Sequence, residues 1–282
     1  MKWPRRSRLR RLSAFDKSDA LALLDRDPVA TILARVPIER DAMRPAHALG
    51  LFDDDNNLTA VCWNGGNLVP YGFDSEGLDI LANHLLTTRQ LCNSLVGPAD
   101  QVMPLWDRIQ NGYSKPREIR ERQLSMVYQG TERVAPDPDV RPAELGEGVL
   151  VVPASVAMFT EEVGYDPTIY GNSYAQRVHD LVRQGHTFVR MGRGPDGELR
   201  VEFKADIGAL AGHVAQIQGV WTAPDLRGQG IGTRAMVTVA RSITRTIAPT
   251  VSLYVNDYNV AAVRAYDKAG FKTVGMYSTI LL

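Results

Sequence analysis

Three glycines at alternate positions, Gly228, Gly230 and Gly232, lie between a strand-like segment that ends near Thr222 and an amphipathic, helix-like segment. Glycine accepts positive φ and lets a ligand oxygen reach the backbone amides with no Cβ in the way. The free N–H groups and the dipole at a helix start attract anions, and Arg227 adds charge-assisted donors. This stretch therefore predicts a strand, an anion-binding turn and a helix in succession.

The spacing of the turn narrows the kind of anion that it could hold. A P-loop requires Lys-Ser/Thr after its last glycine, whereas Gly232 is followed by Thr233 and Arg234, so an ATP or GTP site is not expected. A dinucleotide-binding turn requires GxGxxG, whereas this turn has the pattern GxGxG, so NAD is not expected either. A glycine-rich turn without a ligand is the remaining alternative, but three glycines and an arginine exceed what a turn requires.

Apolar periodicity predicts the secondary structure of the second half of the chain. We expect helices over 149–163, 172–184, 230–243 and from Asn259, its cap, to Gly270, its stop. We expect strands over 186–191, 199–207, 213–222 and 251–255, and two short ones in "FKTVG" and "YSTILL".

The first half follows a similar order. Strands are expected in "HALGLF", "LTAVCW", "NLVPY" and "LCNSLV", and helices over 75–88 and 99–111. An offset of 160 residues lays Trp106 on Tyr266, which indicates a duplicated fold. A stretch rich in proline and glycine, 133–148, separates the halves, so we predict domains over 1–133 and 134–282.

Composition excludes several classes of protein. Of 282 residues, 44% are apolar and 23% charged, as is typical of globular proteins, and no apolar run approaches the roughly 20 residues that span a bilayer. The two cysteines, Cys62 and Cys92, form no CxxC pair, which is typical of a reducing compartment. His47 and His84 have no partners at metal-ligand spacing. We therefore expect a cytoplasmic protein with no metal site and no transmembrane segment.

Basic residues are concentrated at the N-terminus. "MKWPRRSRLRRL", residues 1–12, contains six basic residues and no acidic one, although the net charge of the whole chain is zero. We expect a solvated basic tail, or a start upstream of the true one, because no second basic patch supports nucleic-acid binding. Contact with RNA or an anionic membrane surface is the alternative. The rest of the chain is mildly acidic, which suits a cationic amine substrate.

Two motifs in the second half resemble the signatures of the GNAT superfamily of acyl-CoA-dependent N-acyltransferases. "RGQGIG", which begins at Arg227, is similar to the family's [Arg/Gln]-x-x-Gly-x-[Gly/Ala] loop, and "IQGVWTAPDLR" before it looks like the family's splayed fourth strand. "NDYNVAAVRAYDKAGF" is similar to the second signature, in which an Asn and a Tyr on a helix face the CoA sulfur. The two motifs come in the family's order, and the resemblance covers about 134–282.

The resemblance implies an α/β (α+β) fold of two GNAT-like domains. Each domain would have a mixed, mostly antiparallel central sheet flanked by helices, with a V-shaped splay between its two central strands. The co-substrate would be acetyl-CoA or another acyl-CoA. Amides of the loop would hold its pyrophosphate, and the strand before the loop would pair with the pantetheine arm. The residues that the resemblance places at CoA are Val220, Thr222, Arg227, Gly228, Gln229, Gly230, Ile231, Gly232, Thr233 and Asn259.

The resemblance also implies catalytic roles. An amine would attack the thioester directly in a ternary complex, so that no nucleophilic side chain is needed, and the Val220 N–H would stabilise the oxyanion. Tyr266 would protonate the leaving thiolate; the alternative is a core tyrosine. Glu161 and Glu162, and also Asp166, are candidate bases, although such residues are more often solvated helix or loop charges.

The sequence thus predicts transfer of an acetyl or other short acyl group to a primary amine, on a small molecule, a peptide or a protein. Nucleic acid is not an expected partner. A non-catalytic acyl-CoA sensor or interaction module is the alternative function. The first half has no Lys or Arg between Pro70 and Asn83, so we expect it to have lost its CoA loop and to help close the acceptor cleft. The oligomeric state is open between monomer and homodimer.

Overall fold

The structure, a computed structural model, describes residues 7–40 and 47–282. In chain order, its helices are α1 (Lys17–Leu24), α2 (Ile32–Arg40), α3 (Ser75–Leu86), α4 (Ala99–Ile109), α5 (Gly148–Val163), α6 (Ser173–Arg183), α7 (Ile231–Thr246) and α8 (Val260–Lys268). Its strands are β1 (Arg8–Arg11), β2 (Ala48–Phe52), β3 (Leu58–Asn64), β4 (Asn67–Tyr71), β5 (Ser94–Pro98), β6 (Glu118–Tyr128), β7 (Arg141–Pro142), β8 (Thr187–Arg193), β9 (Leu199–Ala211), β10 (Val214–Thr222), β11 (Thr250–Asn256) and β12 (Phe271–Leu281).

These elements form two compact units, each discontinuous in sequence. Unit 1 comprises the described residues up to Ser125, with Tyr254–Asp257 and Val274–Leu282, and unit 2 comprises Met126–Leu253 and Tyr258–Thr273. Strands β6, β11 and β12 each contribute residues to both units. The predicted division after residue 133 stays a prediction about sequence domains.

In unit 1, β1 to β4 form an antiparallel meander, and β5 joins β4 in parallel. The pairing of β4 with β5 covers only Asn67–Leu68 opposite Ser94–Leu95, although β4 continues to Tyr71 and β5 to Pro98. The two strands therefore separate toward their carboxyl ends. On its other edge, β5 pairs antiparallel with the end of β12.

Helix α3 shows how apolar spacing builds the core of unit 1. Its buried residues recur at intervals of three and four along one face: Leu78, Leu81, Ala82 and Leu85. They share one apolar cluster with Trp106 of α4. The Asp74 carboxylate begins the helix as its cap, because it accepts a hydrogen bond from the Gly77 N–H at 2.7 Å.

The expectation of a solvated tail is wrong for Arg8–Arg11. These residues form β1, which pairs antiparallel with β2. The Arg10 guanidinium donates to the Asp16 carboxylate at 2.7 and 2.8 Å and lies 3.8 Å from the centre of the Phe52 ring. The hydrogen bonds from Arg10 hold the pKa of Asp16 far below its usual range. Main-chain pairing and this ion pair fix the segment; the first six residues lie outside the described ranges.

In unit 2, β7 to β10 are antiparallel neighbours, and β11 joins β10 in parallel. Helices α5 and α6 share one apolar cluster with β8 and β9, formed by Val151, Ala154, Val178, Val182, Val189 and Val201. Helix α7 buries the face that the sequence predicted: Ile231, Met236, Val239, Ala240 and Ile243. The order β8, β9, β10, α7, β11, α8 repeats the order β2, β3, β4, α3, β5, α4 of unit 1, so the predicted duplication is confirmed at this level.

Most predicted elements are present within a few residues of their expected bounds. The two short C-terminal strands are a wrong prediction, because both quoted segments belong to the single strand β12. Strand β6 was not predicted, because polar Arg120 and Gln123 occupy buried positions in it and obscure the alternation. Helices α1 and α2 were not predicted either. Within the described ranges, no helix combines the length and the apolar character needed to cross a bilayer.

One ion pair in unit 2 leads to a pH-dependent prediction. The Arg241 Nε lies 2.8 Å from Glu132 Oε1, and the Tyr128 hydroxyl also donates to this carboxylate. The hydrogen bond from Arg241 lowers the pKa of Glu132 to about 2, from its ordinary value of 4.5. Because the folded pKa is the lower one, the stabilisation is complete above about pH 4.5 and is lost as the pH falls toward 2.

Glu132→Gln is therefore expected to lower the Tm at pH 7 and to have progressively less effect as the pH falls from 4.5 to 2. Thermal melts at a series of pH values measure this difference. Glu198→Gln, at an exposed position, is the matched control and should leave the Tm unchanged throughout. A Glu132→Gln effect as large at pH 2 as at pH 7 would contradict the assignment.

Candidate active site

Strands β10 and β11 separate after a short paired stretch. Val214–Gln216 pair in parallel with Thr250–Ser252, and no residue of β10 beyond Gln216 has a recorded partner in β11 within the described ranges. Strand β10 continues to Thr222. Its last six residues therefore present a free main-chain edge on that side, which an extended ligand can use as an added strand. Val220 and Thr222, both predicted to contact CoA, lie on this edge.

A β-bulge interrupts β10 at the start of the predicted CoA segment. Gln218 is opposite Asp206 and Trp221 is opposite Lys204, so Gly219 and Val220 together oppose a single residue of β9. Gly219 has a φ of +60°, which glycine adopts without strain. A bulge re-aims the main chain at this point, which is where the sequence predicted the oxyanion donor.

A buried ion pair lies beneath the bulge. Lys204 is fully buried; its Nζ lies 2.5 Å from Asp206 Oδ2 and donates to the Gly219 carbonyl oxygen at 3.0 Å. The Thr187 hydroxyl donates to the other Asp206 oxygen at 2.9 Å. A Cβ at position 219 would lie 2.7 Å from Asp206 Oδ2 and 3.1 Å from Lys204 Nζ. The pair therefore fixes the bulge from below and requires glycine there.

The glycine loop has the backbone that an anion site needs. Gly228 and Gly230 have φ values of +77° and +75°, and Gly230 is the cap of α7. The N–H groups from Gly228 to Thr233 donate to no acceptor within the described part of the chain. A Cβ at position 228 would meet open space. Six N–H groups at one helix start thus remain available to a ligand.

Arg227 ties the loop to two neighbouring elements. Its Nε donates to the Thr222 carbonyl oxygen at 2.9 Å, and its Nη2 donates to Glu161 Oε2 at 2.6 Å. The indole N–H of Trp221 lies 3.3 Å from the other Glu161 oxygen. Glu161, a predicted base, is therefore engaged by the loop arginine, and its observed contacts are those of a residue that positions Arg227.

The first turn of α7 packs closely on β10. Of the predicted CoA residues there, Ile231 is buried, and a Cβ on Gly232 would come within 3.0 Å of Thr222 Oγ1. Thr233 follows in the same turn, and the Gln229 side chain donates to a loop carbonyl at 3.3 Å. Glycine at position 232 therefore lets the helix start approach the strand edge.

Tyr266 and Asn259 both lie on or at the start of α8. The Asn259 side chain accepts a hydrogen bond from the Ala262 N–H at 3.1 Å, as the predicted cap. Tyr266 is 9% exposed, its ring centre lies 6.0 Å from that of Phe271, and its hydroxyl has no partner within the described residues. Burial raises the pKa of Tyr266, and the nearby Glu162 charge raises it further. The phenol is therefore protonated at neutral pH. Of the three candidate bases, Glu162 is the one whose charge affects the pKa of Tyr266.

Two further polar residues that follow α5, Asp166 and Tyr174, are engaged locally. Asp166 accepts from the Thr168 hydroxyl and N–H at 2.6 and 2.8 Å, and these hydrogen bonds lower its pKa, which weakens it as a base. The Tyr174 hydroxyl donates to the Ser155 carbonyl oxygen at 2.9 Å, and burial raises the pKa of Tyr174 to about 12.

Unit 1 has the same splay but a different loop. Only three residues, Gly72 to Asp74, connect β4 to α3, and the Asp74 carboxylate occupies the helix start that in unit 2 offers free N–H groups. Trp106 of α4, which the sequence offset lays on Tyr266, is buried. In unit 1, the Asp74 carboxylate therefore caps the helix start that corresponds to the predicted CoA-binding loop of unit 2.

Comparison with family models agrees with this geometry. Residues 185–271 match the model of the acetyltransferase (GNAT) family. This region is similar to a GNAT acetyltransferase domain. Residues 46–149 match a family described as a domain of unknown function, DUF4081. No curated protein matches the sequence significantly.

Solved structures of GNAT proteins share the fold over nearly the whole chain. A GNAT-family acetyltransferase from Colwellia psychrerythraea has a TM-score of 0.58 at 13% identity, with 97% of this chain and 98% of that chain covered. A GCN5-related N-acetyltransferase from Sphaerobacter thermophilus has a TM-score of 0.57 at 14% identity, with 99% and 96% covered. A tandem GNAT protein from the clavulanic acid biosynthesis pathway has a TM-score of 0.51 at 9% identity, with 97% and 98% covered.

These matches confirm the predicted fold class and the tandem GNAT arrangement, in which DUF4081 fits a divergent first domain. At such identities they establish the fold alone. The roles of the individual site residues stay predictions.

Sequence reasoning missed the Lys204–Asp206 pair and the bulge above it. A glycine in the middle of a strand pattern, as in "QIQGVWT", is a signal for a bulge or a close backbone approach, and it was available for Gly219. Lys204 and Asp206 alternate with apolar residues and so share one face of β9. That this face is buried depends on packing that no local pattern contains.

Proposed function

We propose that the protein transfers an acetyl or other short acyl group from acyl-CoA to a primary amine. The observation that carries this proposal is the row of N–H groups from Gly228 to Thr233, unpaired within the described residues, that begins α7 beside the free edge of β10. A helix start of this kind fits a diphosphate. The GNAT domain supports acyl transfer in general.

In this proposal CoA lies along β10. The loop amides and the Arg227 guanidinium hold its pyrophosphate, and the main chain at Val220 and Thr222 pairs with the pantetheine arm. Asn259 contacts that arm in addition to capping α8. The thioester then lies where β10 and β11 separate, beside the bulge at Gly219.

The chemical step is direct attack by the amine. The amine nitrogen adds to the thioester carbonyl carbon, and the tetrahedral intermediate collapses as the C–S bond breaks and the amide is retained. The Val220 N–H stabilises the oxyanion. Glu162 takes a proton from the ammonium, directly or through water, so that the amine attacks as the free base. Tyr266 donates its proton to the departing thiolate, and its phenolate regains a proton from the acylated nitrogen. The charge of Glu162 acts on the Tyr266 phenol, which favours Glu162 over Glu161 as the base.

A non-catalytic acyl-CoA-binding module is the second candidate, because the burial of Tyr266 also suits a core tyrosine. Turnover separates the two candidates. Release of CoA from acetyl-CoA in the presence of a panel of primary amines supports the enzyme. Tight binding of acetyl-CoA, with no release of CoA in the presence of any of these amines, supports the non-catalytic module.

The pyrophosphate role of the loop has its own test. Arg227→Ala is expected to weaken acetyl-CoA binding about tenfold, the value of one charge-assisted contact. It should leave the binding of S-acetylpantetheine, which has no diphosphate, unchanged. Calorimetry measures both affinities, and Arg245→Ala at the far end of the same helix is the matched control. Equal losses for the two ligands would show that Arg227 acts through loop shape, and no loss for either would remove it from the site.

A further inference from the structure

Unit 1 contains a cavity of about 590 Å³ that the proposed acyl transfer does not use. Every residue that lines it belongs to unit 1. It lies where β4 ends, at Tyr71 and Gly72, and where α4 begins, at Ala99 and Asp100, beside the turn before α2. The volume is within the range of about 300–1,000 Å³ of small-molecule sites.

The charged residues that line the cavity are all acidic. They are Asp27 and Asp100, and the lining within the described residues includes no Lys, Arg or His. Burial is the largest cause that raises the pKa of Tyr71, and the charges of Asp27 and Asp100 raise it further. Arg26, which does not line the cavity, lowers this pKa. The cavity therefore has a negative potential beside a protonated phenol.

Ser125, a buried residue, also lines the cavity. Ser125 is 4% exposed, and its hydroxyl makes no hydrogen bond within the described residues. The Ser155 and Ser252 hydroxyls are sealed from solvent, whereas that of Ser125 keeps accessible surface, and the cavity is the space beside it. A ligand atom in the cavity could therefore make a hydrogen bond with this hydroxyl.

We propose that this cavity binds an organic cation that carries a primary or secondary ammonium group. Asp27 and Asp100 supply the opposite charge, and the Ser125 hydroxyl accepts a hydrogen bond from the ligand N–H. Aliphatic side chains, among them Val29 and Met276, contact its carbon chain.

An anion at the start of α4 is the competing occupant, since helix starts favour negative charge. Asp100 already places a carboxylate in the first turn of that helix, and no cationic side chain among the described lining residues would support a second anion. The ammonium ligand is therefore favoured. This site is separate from unit 2 and does not depend on acyl transfer.

Calorimetry of the full chain with straight-chain diamines of three to six carbons tests the proposal, with the corresponding neutral diols as controls and no acyl-CoA present. A diamine should bind and its diol should not. Asp27→Asn and Asp100→Asn should each weaken the affinity about tenfold, and Ser125→Ala should weaken it to a smaller extent. Asp107→Asn, an exposed position on α4 outside the cavity, should have no effect.

Asn at position 27 keeps an oxygen that can accept the Ala30 N–H, as Asp27 does at 3.0 Å, so the turn is retained, and circular dichroism checks the fold. Failure of any diamine to bind, equal binding of a diol, or an equal loss in Asp107→Asn would overturn the proposal. If Glu162→Gln lost diamine binding and Asp27→Asn kept it, the amine would bind in unit 2, and this result would also overturn the proposal. Inorganic phosphate binding that Ser125→Ala abolishes would identify an anion site instead. None of these outcomes depends on whether the enzyme turns over.

Discussion

Lys204→Met is expected to lower the free energy of unfolding by about 3–5 kcal/mol, the usual cost of breaking a buried ion pair from one side. The substitution removes the only cation bonded to Asp206 among the described residues and leaves its carboxylate in a low-dielectric environment with the Thr187 hydroxyl as partner. It also removes the donor to the Gly219 carbonyl oxygen. Chemical denaturation measures the change.

Two further variants make this result specific. Lys204→Met combined with Asp206→Asn should recover part of the lost stability, because no uncompensated charge remains buried. Lys272→Met removes an ion pair with Asp267 that is half-exposed and should cost about 1 kcal/mol or less. If Lys204→Met and Lys272→Met have similar costs, the pair beneath the bulge contributes no more than a surface pair.

Tyr266→Phe is expected to lower kcat by about 10²–10³-fold, within the range of general acid catalysis, with little change in acyl-CoA affinity. The ring and its packing on Phe271 are retained, so only the proton donor is lost. Steady-state kinetics with acetyl-CoA and an accepted amine give kcat, and calorimetry gives the affinity. If the affinity and kcat fall together, Tyr266 acts through packing; if neither changes, another group protonates the thiolate.

The behaviour with different thiol leaving groups refines the assignment. A general acid matters less as the leaving thiol becomes more acidic. An activated aryl thioester should therefore be transferred by the Tyr266→Phe variant with a much smaller defect than acetyl-CoA. The Phe271→Leu variant is the matched control, because it alters packing around the ring without removing the phenol. A defect of equal size with both thioesters would contradict proton donation to sulfur.

The repeat of the fold in units 1 and 2 could be predicted from the sequence, because apolar periodicity predicts the same order of strands and helices in both halves. Helix α7 begins directly after Gly230, in the glycine-rich turn, and the apolar face that it buries is the predicted one. Strand β6 and the pairing of Arg8–Arg11 were beyond reach, since charged side chains mask the alternation there. Whether such a segment pairs depends on a neighbouring strand distant in sequence.

The candidate site also contains features that the sequence predicted and features that only the tertiary structure showed. The loop from Arg227 to Gly232 is local, so its residues could be chosen from glycine spacing, whereas the structure shows that Gly228 and Gly230 are the two with positive φ. The engagement of Glu161 by Arg227 joins residues that are 66 positions apart, and the ion pair of Lys204 with Asp206 has meaning only once its face of β9 is known to be buried. Neither could be chosen from the sequence.

By itself, the sequence determined the duplicated order of elements and the glycine-rich helix start, because these depend on the conformational preferences of neighbouring residues. Only the tertiary structure decided which carboxylates are engaged, where β10 bulges, and that unit 1 has an acidic cavity lined by the buried residue Ser125. Those features depend on burial and on contacts between distant segments, which set the energy of a charge or a polar group far more than its place in the chain does.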